Sequence, residues 1–487
     1  MKYKWNRSDI GVFQSILANP TSVYMIIFSA ISKDYEGRTS YQSVADFYSG
    51  KSVFITGGTG FLGKVFIEKL LYSCTKLDKI YILVREKKGE NIYTRIENLF
   101  KNPLFTRLKT NNPDFMKKVF PVAGDITLPN LGLKPEDEHN LIDNVSVVFH
   151  AAATVKFNEP LPVAMNINFE GTQKVLKLSQ RMKNMEAFVY ISTAYAHTQR
   201  KKLIETVYPA PAKLDDVYKF IDEYGHNKEE TMKFINNKPN TYTFTKSLAE
   251  AYIASNCGDL PAVIIRPSIV IATKDEPMKG WLDNCFGPTI LLYSVAKGWN
   301  RISLGQSNSA IDLIPVDYVS NMSIVSATRA RSRNLQVFNC TSSSENPIVW
   351  SDLYKHFAQE IISRGKNEIP YPTVMYAKSK TLVNIGTFLM QVAPAHIADL
   401  WLKLTGRETK YVKLLSQVVS FRNAMAFFSV NTWEMRAERA RELYNSLSAE
   451  DKARFPCDVT QIEWSEYIRD YCKGVQRYLL ARYTTKQ

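Results

Sequence analysis

The stretch Ser52-Val-Phe-Ile-Thr-Gly-Gly-Thr-Gly-Phe-Leu-Gly-Lys64 passes from an apolar, β-prone segment through four glycines into the helically spaced VFIEKLL. Val53 to Ile55 reads as a buried parallel strand, and Lys64 to Leu71 as a helix whose apolar face is Val65, Ile67, Leu70 and Leu71. At such a junction the backbone needs positive φ or close approach to a ligand, and the free N–H groups of the helix start suit an anion. Gly58, Gly60 and Gly63 match G-x-G-x-x-G, while Gly57, Gly60 and Gly63 match the wider G-x-x-G-x-x-G. The loop Thr56, Gly57, Gly58, Thr59, Gly60, Phe61, Leu62 and Gly63 is therefore predicted to hold a dinucleotide.

Strand candidates recur outward from this loop at α/β intervals: Ile80–Val84, Val119–Val122, Val145–Phe149, Ala187–Ile191 and Ala262–Ile265. Each is followed by small or polar residues and then helical spacing, which predicts a doubly wound parallel sheet with its ligand across the carboxyl ends of the strands. After the second strand comes Val84-Arg85-Glu86-Lys87-Lys88. A cation at Arg85 suits a 2′-phosphate, and Glu86 keeps a free ribose hydroxyl possible. In Gly124-Asp125-Ile126 the acid is placed to accept from an adenine amine, and His150-Ala151-Ala152-Ala153 offers small side chains where backbone passes the nicotinamide half.

The fifth strand ends in Ser192 and Thr193, and about fifty residues on comes Asn240-Thr-Tyr-Thr-Phe-Thr-Lys-Ser-Leu-Ala-Glu250. Tyr242 and Lys246 are four apart and share a helix face. A lysine ammonium beside a phenol is expected to bring its pKa down toward working pH, making tyrosine an acid for a carbonyl oxygen. Tyr72/Lys76, Tyr224/Lys228, Tyr293/Lys297 and Tyr376/Lys380 repeat the spacing. Only Tyr242 follows a Ser-Thr strand end and precedes a strand ending Ile265-Arg-Pro267.

From about Val44 the chain resembles the fatty acyl-CoA reductases, extended short-chain dehydrogenase/reductase relatives with a C-terminal male-sterility-type domain. The resemblance is carried by ADFYSGKSVFITGGTGFLGKVFIEKLL, VREKKG, AGDITLPNLGL, FHAAATVKFNEPL, NINFEGT, ISTAYAH, YTFTKSLAE, IIRPSIV, EPMKGWLDNCFGP and IDLIPVDYVSN in order. It implies NADPH as cofactor and a long-chain fatty acyl-CoA as substrate, reduced to the primary alcohol. By that resemblance Gly57, Gly60 and Gly63 hold the pyrophosphate, Arg85 the 2′-phosphate and Asp125 with Ile126 the adenine. Ala151, Ala152 and Pro267 then border the nicotinamide half, and Lys246 binds its ribose. Tyr242 is the acid, with Thr193 as hydroxyl donor and Ser192 as the nearby alternative. The chain departs from the family pattern at Lys156 to Glu159, at Lys279 and at Ile290, which leaves chain-length preference open.

The composition frames this reading. The chain has 487 residues, a formal charge of +15 and 45% hydrophobic residues, a globular composition that favours anionic partners. No RNA-binding signature is present, so no nucleic-acid partner is expected. Six cysteines without a C-x-x-C pair suggest a reducing compartment, and no metal site is expected. The expected division is an N-terminal extension (1–43, with the apolar patch Ser22–Ile31), a reductase domain (44–345) and a mainly helical C-terminal domain (346–487), where strand alternation stops after Trp350. In the last part, Ile462 to Arg482 reads as a helix with a core stripe of Trp464, Ile468, Tyr471, Val475, Tyr478 and Leu479.

Leu382 to Leu404 is apolar over about the length of a membrane span, interrupted by Asn384, Gln391, Pro394, His396 and Asp399. It reads as a buried or interfacial helical hairpin or as a span, and Lys378, Lys380, Lys403 and Arg407 favour an anionic bilayer surface either way. An intracellular, membrane-associated protein of the endoplasmic reticulum or peroxisome is expected. Competing readings are an aldehyde-forming acyl-CoA reductase, another extended short-chain oxidoreductase or epimerase, a cofactor-binding protein without activity, and a thioester route through Cys285.

Overall fold

β1 (Ser52–Thr56) is buried along its whole length, as a continuous apolar run in the middle of a parallel sheet requires. The computed structural model describes residues 41–480 except 87–88, 237, 285–286 and 364–372. Most of the N-terminal extension, with its apolar patch, thus lies outside the described residues, as does Cys285. α1 (Phe61–Ser73) follows the glycine loop, then β2 (Ile80–Val84), β3 (Val119–Ala123), β4 (Val145–His150), α2 (Gly171–Arg181), β5 (Ala187–Ile191), α3 (Thr241–Asn256), β6 (Ala262–Pro267), α4 (Val316–Ala327) and β7 (Gln336–Cys340).

The sheet order is β3-β2-β1-β4-β5-β6-β7, and each pairing is parallel. The order reverses between β1 and β4, which opens a crevice at the carboxyl ends of those strands. All the strands expected from the sequence belong to this sheet, and β7 joins them. α1 is more deeply enclosed than its apolar stripe indicated, because α4, buried at every residue, packs against it. Glu68 and Lys69 are buried with it. Their charges are matched: Arg107 donates Nε and Nη2 to Glu68 (2.8 and 3.0 Å) and Nη1 to Glu276 (3.1 Å), and Lys69 pairs with Glu276.

The C-terminal part contains α5 (Lys380–Thr387), a π turn (Phe388–Val392), α6 (Ala393–Leu404), α7 (Tyr411–Val430) and α8 (Trp464–Gly474). Strand formation does not stop at Trp350. Met375–Ala377 pairs in parallel with Ile302–Leu304, and Glu434–Met435 with Lys202–Leu203. Pieces of two or three residues carry too little alternation to be read from sequence. The described chain from Val44 onward forms one compact body.

α8 and the π turn that continues it to Leu480 bury Ile468, Tyr471, Val475, Tyr478 and Leu479, with Trp464 packed at the margin of the core. The helix docks through backbone contact. A Cβ on Gly474 would lie 1.6 Å from the Gly280 carbonyl oxygen, and one on Gly280, whose φ is +69°, would lie 2.1 Å from the Asp470 oxygen. No side chain fits between these two segments. Gly474→Ala is therefore expected to destabilise the fold by about 2–3 kcal/mol through overpacking, read as a lowered denaturation midpoint. An unchanged midpoint would show that α8 shifts away freely.

Candidate active site

The glycine loop is shaped by its contact with the end of β4. A Cβ on Gly57, whose φ is +75°, would lie 2.7 Å from the Ala152 nitrogen, and one on Gly63 would lie 2.2 Å from the Gly57 oxygen. Only glycine permits this double approach. Thr56 holds the partner strand end: its carbonyl accepts from Ala151 N–H (3.2 Å) and its hydroxyl from Ala152 N–H (3.4 Å). Gly60 N–H donates to the Gly57 carbonyl (2.9 Å), and no side chain caps α1 there. The loop and the uncapped helix start suit a dinucleotide pyrophosphate. Phe61 stacks on buried Trp281 with centroids 5.4 Å apart.

His150 clamps the loop from below. Its Nδ1 lies 2.6 Å from Thr56 Oγ1 and its Nε2 lies 2.9 Å from Thr172 Oγ1 on α2. Burial, with the Lys246 charge behind it, lowers its pKa to about 3, so the ring is neutral. At the ends of β2 and β3, Arg85 Nη1 lies 3.7 Å from Asp125 Oδ2, which joins the two residues expected at the adenosine end. Arg95 also donates to the Arg85 carbonyl, bringing a second cation that sequence reasoning did not single out. Ile126 is buried beside them, and Pro267 ends β6.

Tyr242 stands in the first turn of α3, whose N-terminus is capped by Asn240 accepting from Thr243 N–H. Thr193 hydrogen-bonds its phenol, yet burial dominates and pushes the phenol pKa up to about 12. This differs from the expected downward shift. Lys246, 2% exposed, donates its ammonium to the Ile191 carbonyl (2.6 Å) and sits 4.6 Å from the Tyr190 ring centroid. Burial brings its own pKa down to about 7, while Glu250 pulls upward. The phenol is thus held in its protonated, acid-competent form.

One further turn along α3, Glu250 is fully buried. Its carboxylate accepts from Arg266 Nη2 (2.7 Å) and Nε (3.0 Å), faces His197 Nε2 at 2.8 Å and accepts from the Ser192 hydroxyl. Burial would raise its pKa, but Arg266 and then His197 hold it well below the usual carboxylate range. Asn168, in the π turn Met165–Glu170, donates to Thr245 Oγ1 (3.1 Å) and fixes the other side of α3. Phe157 bridges Tyr242 and Phe428 of α7 with centroids 6.2 and 5.5 Å away.

Sequence reasoning quoted the segments that contain Glu250, Arg266, His197 and Asn168 without assigning these residues. A charged residue inside the apolar strand segment IIRP was the available sign. Among the described residues no cluster of three or more potential metal ligands occurs.

Two family models described as male sterility protein match the chain, at residues 55–323 and 390–482. Human fatty acyl-CoA reductase 1 is 39% identical over 446 residues, 90% of this chain and 86% of that protein. Mouse fatty acyl-CoA reductase 2 is 35% identical over 90% of this chain and 86% of its own length, and the Drosophila melanogaster fatty acyl-CoA reductase wat 33% over 89% and 85%. The chain therefore belongs to the fatty acyl-CoA reductase family. The solved terminal R domain of the myxalamid biosynthetic pathway shares the fold, with a TM-score of 0.60 at 18% identity over 89% of this chain and 92% of that one.

The His150 clamp has a pH signature. The folded ring stays neutral down to about pH 3, whereas in the unfolded chain it binds a proton below about pH 6.5, so stability is full above that value and falls as pH drops. Between pH 7 and 5 the native chain should lose about 2 kcal/mol more than His150→Gln in denaturant titrations. Equal losses would place the acid sensitivity elsewhere.

Proposed function

We propose that this chain reduces a long-chain fatty acyl-CoA to the primary fatty alcohol with NADPH, through an aldehyde. The observation that carries the reading is the Tyr242 phenol, hydrogen-bonded to Thr193 past the end of β5 and one turn before Lys246 on α3, in a sheet whose β1 runs into the glycine loop. Family membership supports the substrate class.

Bound NADPH supplies the hydride. Gly57 to Gly63 and the start of α1 hold the pyrophosphate, and Arg85, 65% exposed, offers its charge to the 2′-phosphate. Asp125 and Ile126 take the adenine, Ala151, Ala152 and Pro267 leave room for the nicotinamide half, and Lys246 binds the adjoining ribose. Tyr242 donates a hydrogen bond to the thioester carbonyl oxygen and then its proton as charge builds there. Thr193 orients the phenol, and Ser192 is tied to Glu250.

The balanced conversion consumes two hydrides and two protons per thioester, releasing coenzyme A thiol in the first half. The same phenol serves the aldehyde carbonyl. An acyl tail held by about 0.8 kcal/mol per buried methylene keeps the aldehyde on the enzyme between halves. In this scheme residues 44–345 are the reductase domain and residues 346–487 the mainly helical C-terminal domain. The enzyme works at an intracellular membrane, a reading supported by its basic, apolar segment around residues 380–404 and by buried free thiols at Cys74, Cys257, Cys340, Cys457 and Cys472.

Tyr242→Phe should lower turnover by about a hundredfold or more while NADPH binding, followed by fluorescence titration, stays near normal. Near-normal turnover would remove Tyr242 as the acid. Arg85→Ala should raise KM for NADPH about tenfold or more and barely change KM for NADH. Equal effects would reject the 2′-phosphate contact. Cofactor oxidation, thiol release and extracted products measured in one reaction should give two NADPH per thiol with alcohol as product. One NADPH per thiol with accumulating aldehyde would instead identify an aldehyde-forming reductase.

A further inference from the structure

The helical run 380–404 has its polarity inside out. On α5 and the π turn, Leu382, Ile385, Phe388 and Leu389 are each more than half exposed. On α6 the same holds for Ile397, Leu400, Trp401 and Leu404, the last at 78%. The stripes recur at three- and four-residue intervals, and the one-residue excess of the π turn keeps Leu389 and Ile397, eight apart, on one side. The buried face, by contrast, carries Thr387, Gln391 and Asp399 beside Val383 and Leu402.

Those buried polar groups are committed inward. Thr387 Oγ1 donates to the Val383 carbonyl (2.6 Å) and accepts from Arg422 Nη1 (3.0 Å), and Gln391 Oε1 accepts from Arg301 N–H (3.1 Å). Asp399 accepts from the Lys410, Tyr411 and Val412 N–H groups at 2.9 Å each, capping α7. Asp399, one of the polar residues that interrupt the apolar run, faces the start of α7 and away from the apolar stripe. Scattered exposed apolar residues are ordinary on water-facing surfaces, whereas a contiguous stripe this long marks contact with something other than water.

Charge identifies the occupant. From Lys378 to Lys413 the chain holds six cations against two acids, one of them the inward Asp399. Lys378, Lys380, Lys403, Arg407, Lys410 and Lys413 are all exposed, and the Arg407 guanidinium lies 5.6 Å from the Trp401 ring centroid. A tryptophan beside cations at the border of an apolar stripe fits a lipid headgroup layer. No described helix is long and apolar enough to cross a membrane.

We infer that α5 and α6 lie flat in one leaflet of an anionic bilayer, their apolar stripe immersed and their cations on the headgroups. This rests on the membrane reading above and specifies its mode and lipid chemistry. It also fits the interior. Behind α5 a cavity of about 240 Å³ is lined by Lys380, Val383 and Asn384 on one side and by Met425, Ala426 and Ser429 of α7 on the other. The next residue on α7 from that lining, Phe428, touches the Phe157 that contacts Tyr242. α7 thus carries both one wall of this cavity and the Phe428 ring that meets Phe157 beside Tyr242.

The test is flotation of the full chain with phosphatidylcholine vesicles, with and without phosphatidylserine. The wild type should float with the anionic vesicles, less with the neutral ones and less in high salt, and alkaline carbonate should release it. The double variant Leu389→Glu, Trp401→Glu should lower partitioning by about tenfold or more, and Lys403→Glu, Arg407→Glu should remove the preference for phosphatidylserine. Both should retain wild-type turnover on a water-soluble short-chain acyl-CoA, which reports an intact fold. Flotation of the double variants equal to wild type would overturn this face and leave the membrane reading standing. Resistance to alkaline release would overturn flat docking. Failure of the wild type to float with either vesicle would overturn both readings, and a concentration-dependent dimer that the Leu389/Trp401 variant abolishes, without flotation, would assign the face to a second copy of this chain.

Discussion

The buried Glu250 carboxylate is the constraint on which the candidate site depends. It sits at zero exposure, where an unpaired charge is untenable, and is matched by Arg266, His197 and the Ser192 hydroxyl. Removing one partner from such a buried cluster costs about 3–5 kcal/mol. Arg266 lies on β6 and Ser192 at the end of β5, so the pairing pulls α3 against both strands. Tyr242, Lys246 and Glu250 are successive residues of one α3 face at four-residue spacing. Anchoring the third therefore fixes the helix face that carries the first two. Arg266 also donates to the Ile204 and Thr206 carbonyls (3.2 and 2.8 Å), extending the anchor to the segment beside β7 and the C-terminal part.

Around that anchor, the two halves of the chain do different work. The α/β half supplies close backbone approach at Gly57 and Gly63, which needs the absence of side chains. The C-terminal half supplies side chains: Phe428 of α7 meets Phe157 and Tyr195, and α8 closes on Gly280 through Gly474. Trp281, stacked on Phe61 and hydrogen-bonded through Nε1 to Asn102 (3.1 Å), joins the segment held by α8 to the dinucleotide loop. The glycine loop and the backbone contact that docks α8 are thereby mechanically linked.

The same logic governs the surface. α5 and α6 turn Thr387, Gln391 and Asp399 inward as hydrogen-bond partners and a cap, while Leu382, Ile385, Phe388, Leu389, Ile397, Leu400, Trp401 and Leu404 stand on the outer face. An apolar face of that extent favours contact with a medium that accepts hydrocarbon. A catalyst whose substrate and product both carry long alkyl chains gains from that arrangement, because the chain need not cross water.

Much of this was legible in the sequence. The run into Gly57–Gly63, the apolar strand segments and the Tyr242/Lys246 spacing after Ser192-Thr193 are local patterns, set by neighbours a few residues away. They suffice for the sheet, the loop and the α3 face that Tyr242 and Lys246 share. The direction of the Tyr242 pKa was not legible, because burial is summed over atoms from distant segments. The roles of His150, Glu250 and Arg266 were hidden for the same reason: each is defined by a partner 16 to 94 residues away. The orientation of Leu382–Leu404 likewise needed the fold. Its composition marks it as apolar with a few polar interruptions, but whether Asp399 faces lipid or the start of α7 is a question of which side packs. Local periodicity determined the elements, and long-range burial and pairing decided what each of them faces.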